Sequence, residues 1–549
     1  MRFESPPKRI LVVVTAGGYT NAAPVLDLAA ILASRGHAIE FATLAGRDGW
    51  LTDLPFISRA HVLGPAVPPD VEEQNYLLMS TWSSDIISSW GAILGARRYL
   101  ESTWPDTYRG LKRIIADPDT RPDCILADYL VDAARDVSLE HDIPLAMHWP
   151  QMPTAMLKAP YIPGVAGLQI DVLTSEYATV WQRFKSEVAM YTSLPHYLKY
   201  LRWRKGMRAA QGVHRQPSAP NKPDYLCLVN SFFGLEPAKD LPPNVAAIGP
   251  ILPDTDPALT EPYTTFLASR RKVLYISMGT HVLFPEKTLL RLLTGAVAAL
   301  DAGVVDGIIW PINSNARKQL DPSAQITMPV LSDPSGSREA SERRSSSPRK
   351  NITVGNLLGN GHQSILFVEF APQRSLLKDP RVAAFISHAG PASVNEAVCA
   401  GVPLISLPGY FDQIQGGMRV RDAGVSVPLQ KENLRPQDVI NAVLRIVEDC
   451  EHGGPISVNV RRMHGIARIA ARRKYLGADL IEEHMADWEG RRQEQGFGGM
   501  RPRGMHLQTA DARMPMWKAK NWDLWGIAGA VTFLLVGIVI VSATVPSVR

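Results

Sequence analysis

The stretch from Phe367 to Gln413, FVEFAPQRSLLKDPRVAAFISHAGPASVNEAVCAGVPLISLPGYFDQ, constrains the fold more than any other. Ala383-Ala384-Phe385-Ile386-Ser387 has the length and apolar character of a buried parallel strand. His388-Ala389-Gly390 is a turn, and Pro391 opens a helix, where a missing N–H costs nothing. Val402 to Leu407 is the next strand, stopped by Pro408-Gly409. A strand–glycine–helix turn aims free backbone N–H groups and a positive helix end at one point, which suits a phosphate. His388 stands at that point, Glu396 lies two helical turns further in, and Asp412-Gln413 follow the next strand. All three lie at the carboxyl edge of the sheet, where open α/β sheets bind ligands.

The same rhythm opens the chain. Ile10 to Val14 reads as a strand, Ala16-Gly17-Gly18 as a turn, Pro24 to Ser34 as a helix ended by Arg35-Gly36, and His37 to Thr43 as a second strand. This βαβ opening implies a parallel sheet. His37 begins a strand, so it reads as structural. Cys124 to Ala127 is a strand ending in Asp128, with a helix to about His141 and a strand from Ile143 to His148. Residues 151–215 break the pattern with Met, Tyr, Trp and basic residues, as in Tyr197 to Lys205. They read as a helix over the core or as a surface resting on an anionic membrane. Leu226 to Asn230 is a further strand, and the Pro/Asp/Thr-rich run after Ile248 reads as a linker. A second βα series starts at Val273 and reaches Ser277, Gly279 and Thr280.

The chain therefore divides as an N-terminal domain (1–250), a linker (251–265) and a C-terminal domain (266–490). Residues 332–350, SDPSGSREASERRSSSPRK, lack any core-forming residue and are expected to be a disordered insertion. Helices are expected over Arg435 to Glu448 and, as one long element, over Val458 to Trp488. Residues 491–521 are a basic tether, and 524–545 carry no charge and are long enough to cross a bilayer. Trp517, Trp522 and Trp525 collect at that segment's start, and Arg513, Lys518 and Lys520 precede it. The positive-inside rule then keeps the body cytosolic, with the endoplasmic reticulum as the expected membrane. The first residues lead straight into a strand and glycine turn, unlike a signal peptide.

The totals exclude several classes. A net charge of +5 over 549 residues, with no basic run interleaved with aromatics, argues against a nucleic-acid partner. The cysteines Cys124, Cys227, Cys399 and Cys450 are scattered, which fits neither a zinc site nor a disulfide framework.

The ordered set Phe370/Pro372/Gln373, Ser387-His388-Ala389-Gly390, Ser393/Glu396, Gly401-Val402-Pro403 and Asp412-Gln413 resembles the donor-sugar signature of the UDP-glycosyltransferases. Phe370 in place of the usual Trp resembles the fungal branch. The resemblance implies the GT-B fold: α/β, with two Rossmann-like domains facing a cleft, here with a single C-terminal transmembrane helix. It implies a UDP-sugar donor, a hydrophobic or lipid acceptor bound partly by residues 151–215, and inversion at the transferred carbon. It implies no metal and no cofactor, and no Asp-x-Asp stands at a strand end.

The resemblance also assigns roles. Phe370 offers a face for uracil, and a base–aromatic stack contributes roughly 1–3 kcal/mol. Standing alone, Phe370 would read as an ordinary core residue. Gln373 belongs to the same signature, and Glu396 accepts from the ribose hydroxyls. His388, Gly390, Ser393, Ser277, Gly279 and Thr280 face the diphosphate. Asp412 and Gln413 hold the sugar. Two positions depart from the family. Ala392 replaces a usual Asn, and Asn21 stands where the general-base His is expected, with Asp128 at the orienting acid. An amide cannot take a proton at neutral pH. Three readings follow: a transferase in which Asp128 serves as base or the acceptor needs little help; a membrane-tethered UDP-sugar-binding pseudoenzyme; and a nucleotide-sugar epimerase, against which Gly401-Val402-Pro403 and Asp412-Gln413 argue.

Overall fold

The computed structural model describes residues 6–83, 86–153, 159, 161–162, 173–215, 223–280, 282–329, 349–410, 412–496 and 504–544. The N-terminal half forms a seven-stranded parallel sheet in the order β3-β2-β1-β4-β5-β6-β7. Its strands are β1 (Arg9–Val13), β2 (Ala38–Thr43), β3 (Ile57–Val62), β4 (Cys124–Asp128), β5 (Leu145–Trp149), β6 (Leu226–Val229) and β7 (Val245–Ala247). Alternate side chains feed two cores, Leu11, Val13, Ile125 and Ala127 on one face and Ile10, Val12, Cys124 and Leu126 on the other. A sheet covered on both faces explains why these strands are apolar throughout rather than alternating.

The second half forms a six-stranded parallel sheet, β12-β9-β8-β13-β14-β15. Its strands are β8 (Val273–Ser277), β9 (Gly307–Pro311), β12 (Ile365–Val368), β13 (Val382–Ser387), β14 (Leu404–Ser406) and β15 (Ser426–Pro428). β10 (Gln325–Pro329) and β11 (Arg349–Thr353) pair antiparallel beside it. Residues 330–348, most of the expected insertion, lie outside the described residues; 349 and 350 belong to β11.

Two helices depart from expectation. The first runs Tyr19–Ser34, with Gly18 as its N-cap, so Pro24 lies inside it rather than opening it. Pro24 is the sixth residue of that helix, past the first turn whose N–H groups have no intrahelical partner, so it removes one i→i−4 hydrogen bond, the one that would end on the Thr20 carbonyl. Asn21 consequently sits in the first helical turn. The long helix expected over Val458 to Trp488 is two helices, Pro455–Ala470 and Arg473–Gly496. The break follows from burial against different partners. Val460, Met463 and Ala467 pack into the C-terminal core, whereas Ala478, Ile481 and Met485 pack into the N-terminal one. The second helix thus returns across the molecule, past the boundary expected at residue 490. Beyond it Met505 and Leu507 join the same N-terminal core, and His506 pairs with Glu483 and Asp487. The chain ends in the helix Trp522–Thr544; Trp522–Ile540 has a mean hydropathy of 2.1, none of it buried, and suffices in length to span a bilayer.

Candidate active site

The donor-side residues gather at the carboxyl edge of the second sheet. β8 runs into Ser277-Met278-Gly279, where Gly279 adopts φ +75°. A Cβ on Gly279 would lie 2.8 Å from Cε1 and Nε2 of His388, and one on Gly390 would also strike that ring. The imidazole is therefore seated between two backbones that only glycine can supply. Ala389 is buried at φ +62°, its N–H donating to Ser387 Oγ at 3.1 Å. Gly416, on the helix that follows Phe411, leaves room for the Ala389 carbonyl oxygen, so that helix presses directly on the turn. Ser277 is half-buried, while Thr280 is exposed and its carbonyl accepts from Asn313 Nδ2 at 3.2 Å.

Gly390 caps and Pro391 opens the helix Pro391–Ala400, which carries Ser393 and Glu396. Gln373 orients both: its Nε2 donates to Glu396 Oε2 at 2.6 Å and to Ser393 Oγ at 3.2 Å, while Tyr275 OH donates to its Oε1 at 3.2 Å. Burial raises the Glu396 carboxyl above its ordinary range, and the Gln373 hydrogen bond partly offsets this. Phe370 is 76% exposed, which rules out a core role; its backbone carbonyl accepts from Tyr263 OH at 2.7 Å.

Asp412 and Gln413 open the helix Asp412–Asp422. Gln413 Oε1 accepts from the N–H groups of Gly409 and Tyr410 at 3.0 and 3.2 Å, fixing the loop after β14. Burial pushes the Asp412 carboxyl up to about 6, against the helix-start N–H groups and Arg419. On the facing domain, Gly17 at φ +75° makes room for the Asn21 amide, which folds over it. Asp128 is fully buried. Its Oδ1 accepts from the Leu130 N–H at 3.1 Å. Its Oδ2 has no hydrogen bond among the described residues and lies 3.6 Å from His148 Nδ1, beyond hydrogen-bond reach. Both ring nitrogens of His148, its register partner on β5, are likewise buried and unpaired among the described residues. No hydrogen bond joins Asn21 to Asp128. Burial, then the carboxylates of Asp412 and Asp128, raise the Tyr129 hydroxyl well above its usual value.

A protein-family model described as UDP-glucoronosyl and UDP-glucosyl transferase matches residues 353–458. The "UDP-glycosyltransferase FPY2" of Fusarium mangiferae is 36% identical over 557 residues, covering 97% of each chain. A "UDP-glycosyltransferase" of Talaromyces amestolkiae is 39% identical over 537 residues, again 97% of each. The chain belongs to the UDP-glycosyltransferase family. It is accordingly a glycosyltransferase enzyme. The solved structure of Os79 from O. sativa, in complex with trichothecene, matches with a TM-score of 0.54 at 19% identity, over 86% of this chain and all of that one. That likeness concerns the fold, and with the two parallel sheets it makes this UDP-glycosyltransferase a GT-B protein.

The contacts that join the two halves of this UDP-glycosyltransferase escaped the sequence reading. Asn395, beside Glu396, donates to the Asn230 carbonyl at 2.9 Å. Arg419 is buried against Glu236 and Gln151 of the N-terminal domain. Each is an ordinary residue type far from its partner in sequence. The one available signal was Glu236, a carboxylate in the Ser231-to-Glu236 run directly after a buried strand.

Proposed function

We propose that this UDP-glycosyltransferase transfers a hexosyl group from a UDP-sugar to a hydroxyl of a hydrophobic acceptor, with inversion at the anomeric carbon. The observation that carries the reading is the hydrogen-bonded set Tyr275–Gln373–Glu396–Ser393 beside the exposed Phe370 ring. A solvent-facing ring three residues before the glutamine that orients a carboxylate suits a nucleoside, with the base on Phe370 and the ribose hydroxyls on Glu396. His388, Ser393, Ser277, Gly279, Thr280 and the backbone at Gly390 serve the diphosphate. Donors fixed in advance around developing charge are usually the largest catalytic contribution. Asp412 and Gln413 hold the sugar.

In the transfer the acceptor oxygen attacks the anomeric carbon from the face opposite the diphosphate. The bond from that carbon to the phosphate oxygen breaks, its electron pair leaving with UDP. The acceptor proton passes to Asp128, the carboxylate at the position that the family gives to the orienting acid, since the Asn21 amide takes none. Os79 is solved in complex with trichothecene, and a small molecule of that kind is one source of the acceptor; a lipid entering from the bilayer is the other. The apolar helix Trp522–Thr544 anchors the chain, and Lys518 and Lys520 before it favour a cytosolic body on the endoplasmic reticulum.

The competing reading, UDP-sugar binding with weak or no transfer, draws on Asp128 Oδ2, which has no hydrogen bond among the described residues, and on the amide at Asn21. Mass spectrometry of the detergent-solubilised full chain, incubated with UDP-glucose, UDP-galactose or UDP-N-acetylglucosamine and a panel of hydrophobic alcohols, decides between them. A glycosylated product with released UDP supports transfer; binding without product supports the second reading. No binding of any uridine nucleotide defeats both. Protease added to intact microsomes should remove the whole body, and protection overturns the cytosolic assignment.

A further inference from the structure

We infer that the N-terminal domain sets the sugar end of the donor site, through Gln151 and Glu236 acting on the helix that begins at Asp412. The inference rests on the reading that Asp412 and Gln413 hold the sugar. Arg419 lies about two turns along that helix and is 2% exposed. Its Nε donates to Glu236 Oε2 at 2.8 Å and its Nη1 to Gln151 Oε1 at 2.7 Å. Glu236 is equally buried, and its Oε1 accepts from the Met152 N–H at 3.1 Å. Gln151 also reaches the start of the helix: its Nε2 donates to Gln415 Oε1 at 3.0 Å and to the Asp412 carbonyl at 3.4 Å.

A buried ion pair is weak evidence for stability, because the desolvation cost offsets much of the attraction. Arg419 Nη2 is itself buried without a hydrogen-bond partner among the described residues, so this guanidinium is not fully satisfied. What such a pair does well is fix one register between two packed surfaces. Here the surfaces are the sugar-side helix and the N-terminal domain. Gly416 and Gln413 hold the same helix against the turn and loop of its own sheet. Asp412 is thus placed from both domains at once. The nucleotide end differs: Glu396 takes its hydrogen bond from Gln373, within its own domain. The Asn395–Asn230 contact is a separate link between the domains and does not involve Gln151. Gln151, Glu236 and Arg419 are positioning residues for sugar recognition and do not act on the nucleotide.

Calorimetry on the detergent-solubilised full chain tests this, titrating UDP and whichever of UDP-glucose, UDP-galactose and UDP-N-acetylglucosamine binds best to wild type. Gln151→Met keeps the volume and loses both polar ends. It should weaken the UDP-sugar about tenfold, the loss of one or two hydrogen bonds, while UDP affinity stays unchanged. Arg419→Lys keeps the charge without the fork and should weaken the UDP-sugar in the same way. The double variant Glu236→Leu/Arg419→Met removes the buried pair together, so that neither charge is left alone, and guards against misfolding of a single variant. Equal weakening of UDP and UDP-sugar in Gln151→Met, or no change in either, overturns the inference. Asp412→Ala separates the two levels: if it leaves UDP-sugar affinity intact, the sugar-end reading itself fails. If it weakens the UDP-sugar while Gln151→Met does not, only the inter-domain inference fails.

Discussion

The two domains each present a βα turn in which a glycine at φ +75° clears space for one polar side chain. In the second domain that side chain is His388; in the first it is Asn21. The surroundings differ as much as the residues. In the second domain Tyr275, Gln373, Glu396 and Ser393 bind one another. In the first, Asp128 Oδ2 and both nitrogens of His148 are buried without a hydrogen bond among the described residues. Buried polar atoms are nearly always paired, so unpaired ones mark a place where something is missing or where function holds them apart.

The sharpest way to break this contrast is on the acceptor side. Asn21→His should raise the transfer rate by about 10²–10⁴-fold, the usual range for general-base help, and Asp128→Asn should lower it by a comparable factor. Single-turnover kinetics at saturating UDP-sugar reads both, and neither variant should move UDP affinity. An unchanged rate in Asp128→Asn would remove that carboxylate from the mechanism.

The donor side offers the next largest effect. Glu396→Ala should weaken UDP by at least about a hundredfold, since a hydrogen bond to a charged group contributes roughly 1.5–3 kcal/mol and two hydroxyls are involved. Calorimetry measures it, and the variant's thermal stability separates lost binding from lost folding. Phe370→Ala should follow, with a loss of about ten- to a hundredfold in UDP affinity. Because the ring is 76% exposed, melting temperature should hardly change. A large drop in stability would return Phe370 to the core.

The smallest effect is on pH. Asp412 is held up to about 6 by burial, so its carboxylate is formed above that pH and lost below it. The preference for UDP-sugar over UDP should therefore fall as pH drops through about 6 and become flat in Asp412→Asn. Stability runs the other way. A carboxyl that holds its proton more tightly when folded contributes stability that is present below its unfolded value and lost as pH rises through the folded one. Asp412→Asn should accordingly gain stability over wild type above pH 6 and not at pH 4.

Much of the donor side was legible because it is local. Strand, glycine turn, proline-opened helix and next strand lie within fifty residues, and every member of the signature sits on that run or at the end of β8. Parallel strands were readable as apolar runs because both faces of each sheet are covered. What could not be read depends on distance along the chain or on exposure. Gln151, Glu236 and Arg419 meet across the domains, and no local period announces a long-range hydrogen bond. The helix start at Tyr19 was hidden because Pro24 looks like an opening residue when the weaker capping glycine, Gly18, precedes it. The break after Ala470 was hidden because helical periodicity continues across Arg473, while the surface it is periodic against changes from one core to the other.

That break decides where the chain can be cut. Arg473–Gly496 follows the second domain in sequence, yet its apolar face, with Met505 and Leu507 beyond it, closes the core of the first. A soluble version ending at residue 470 would leave Ile248 and Leu28 uncovered, and one ending at 490 would forfeit the two residues that seal the far end. Crystallisation or expression trials that remove the apolar tail should keep the chain through Gln508, just before Thr509, which caps the short 3-10 turn at Ala510–Arg513.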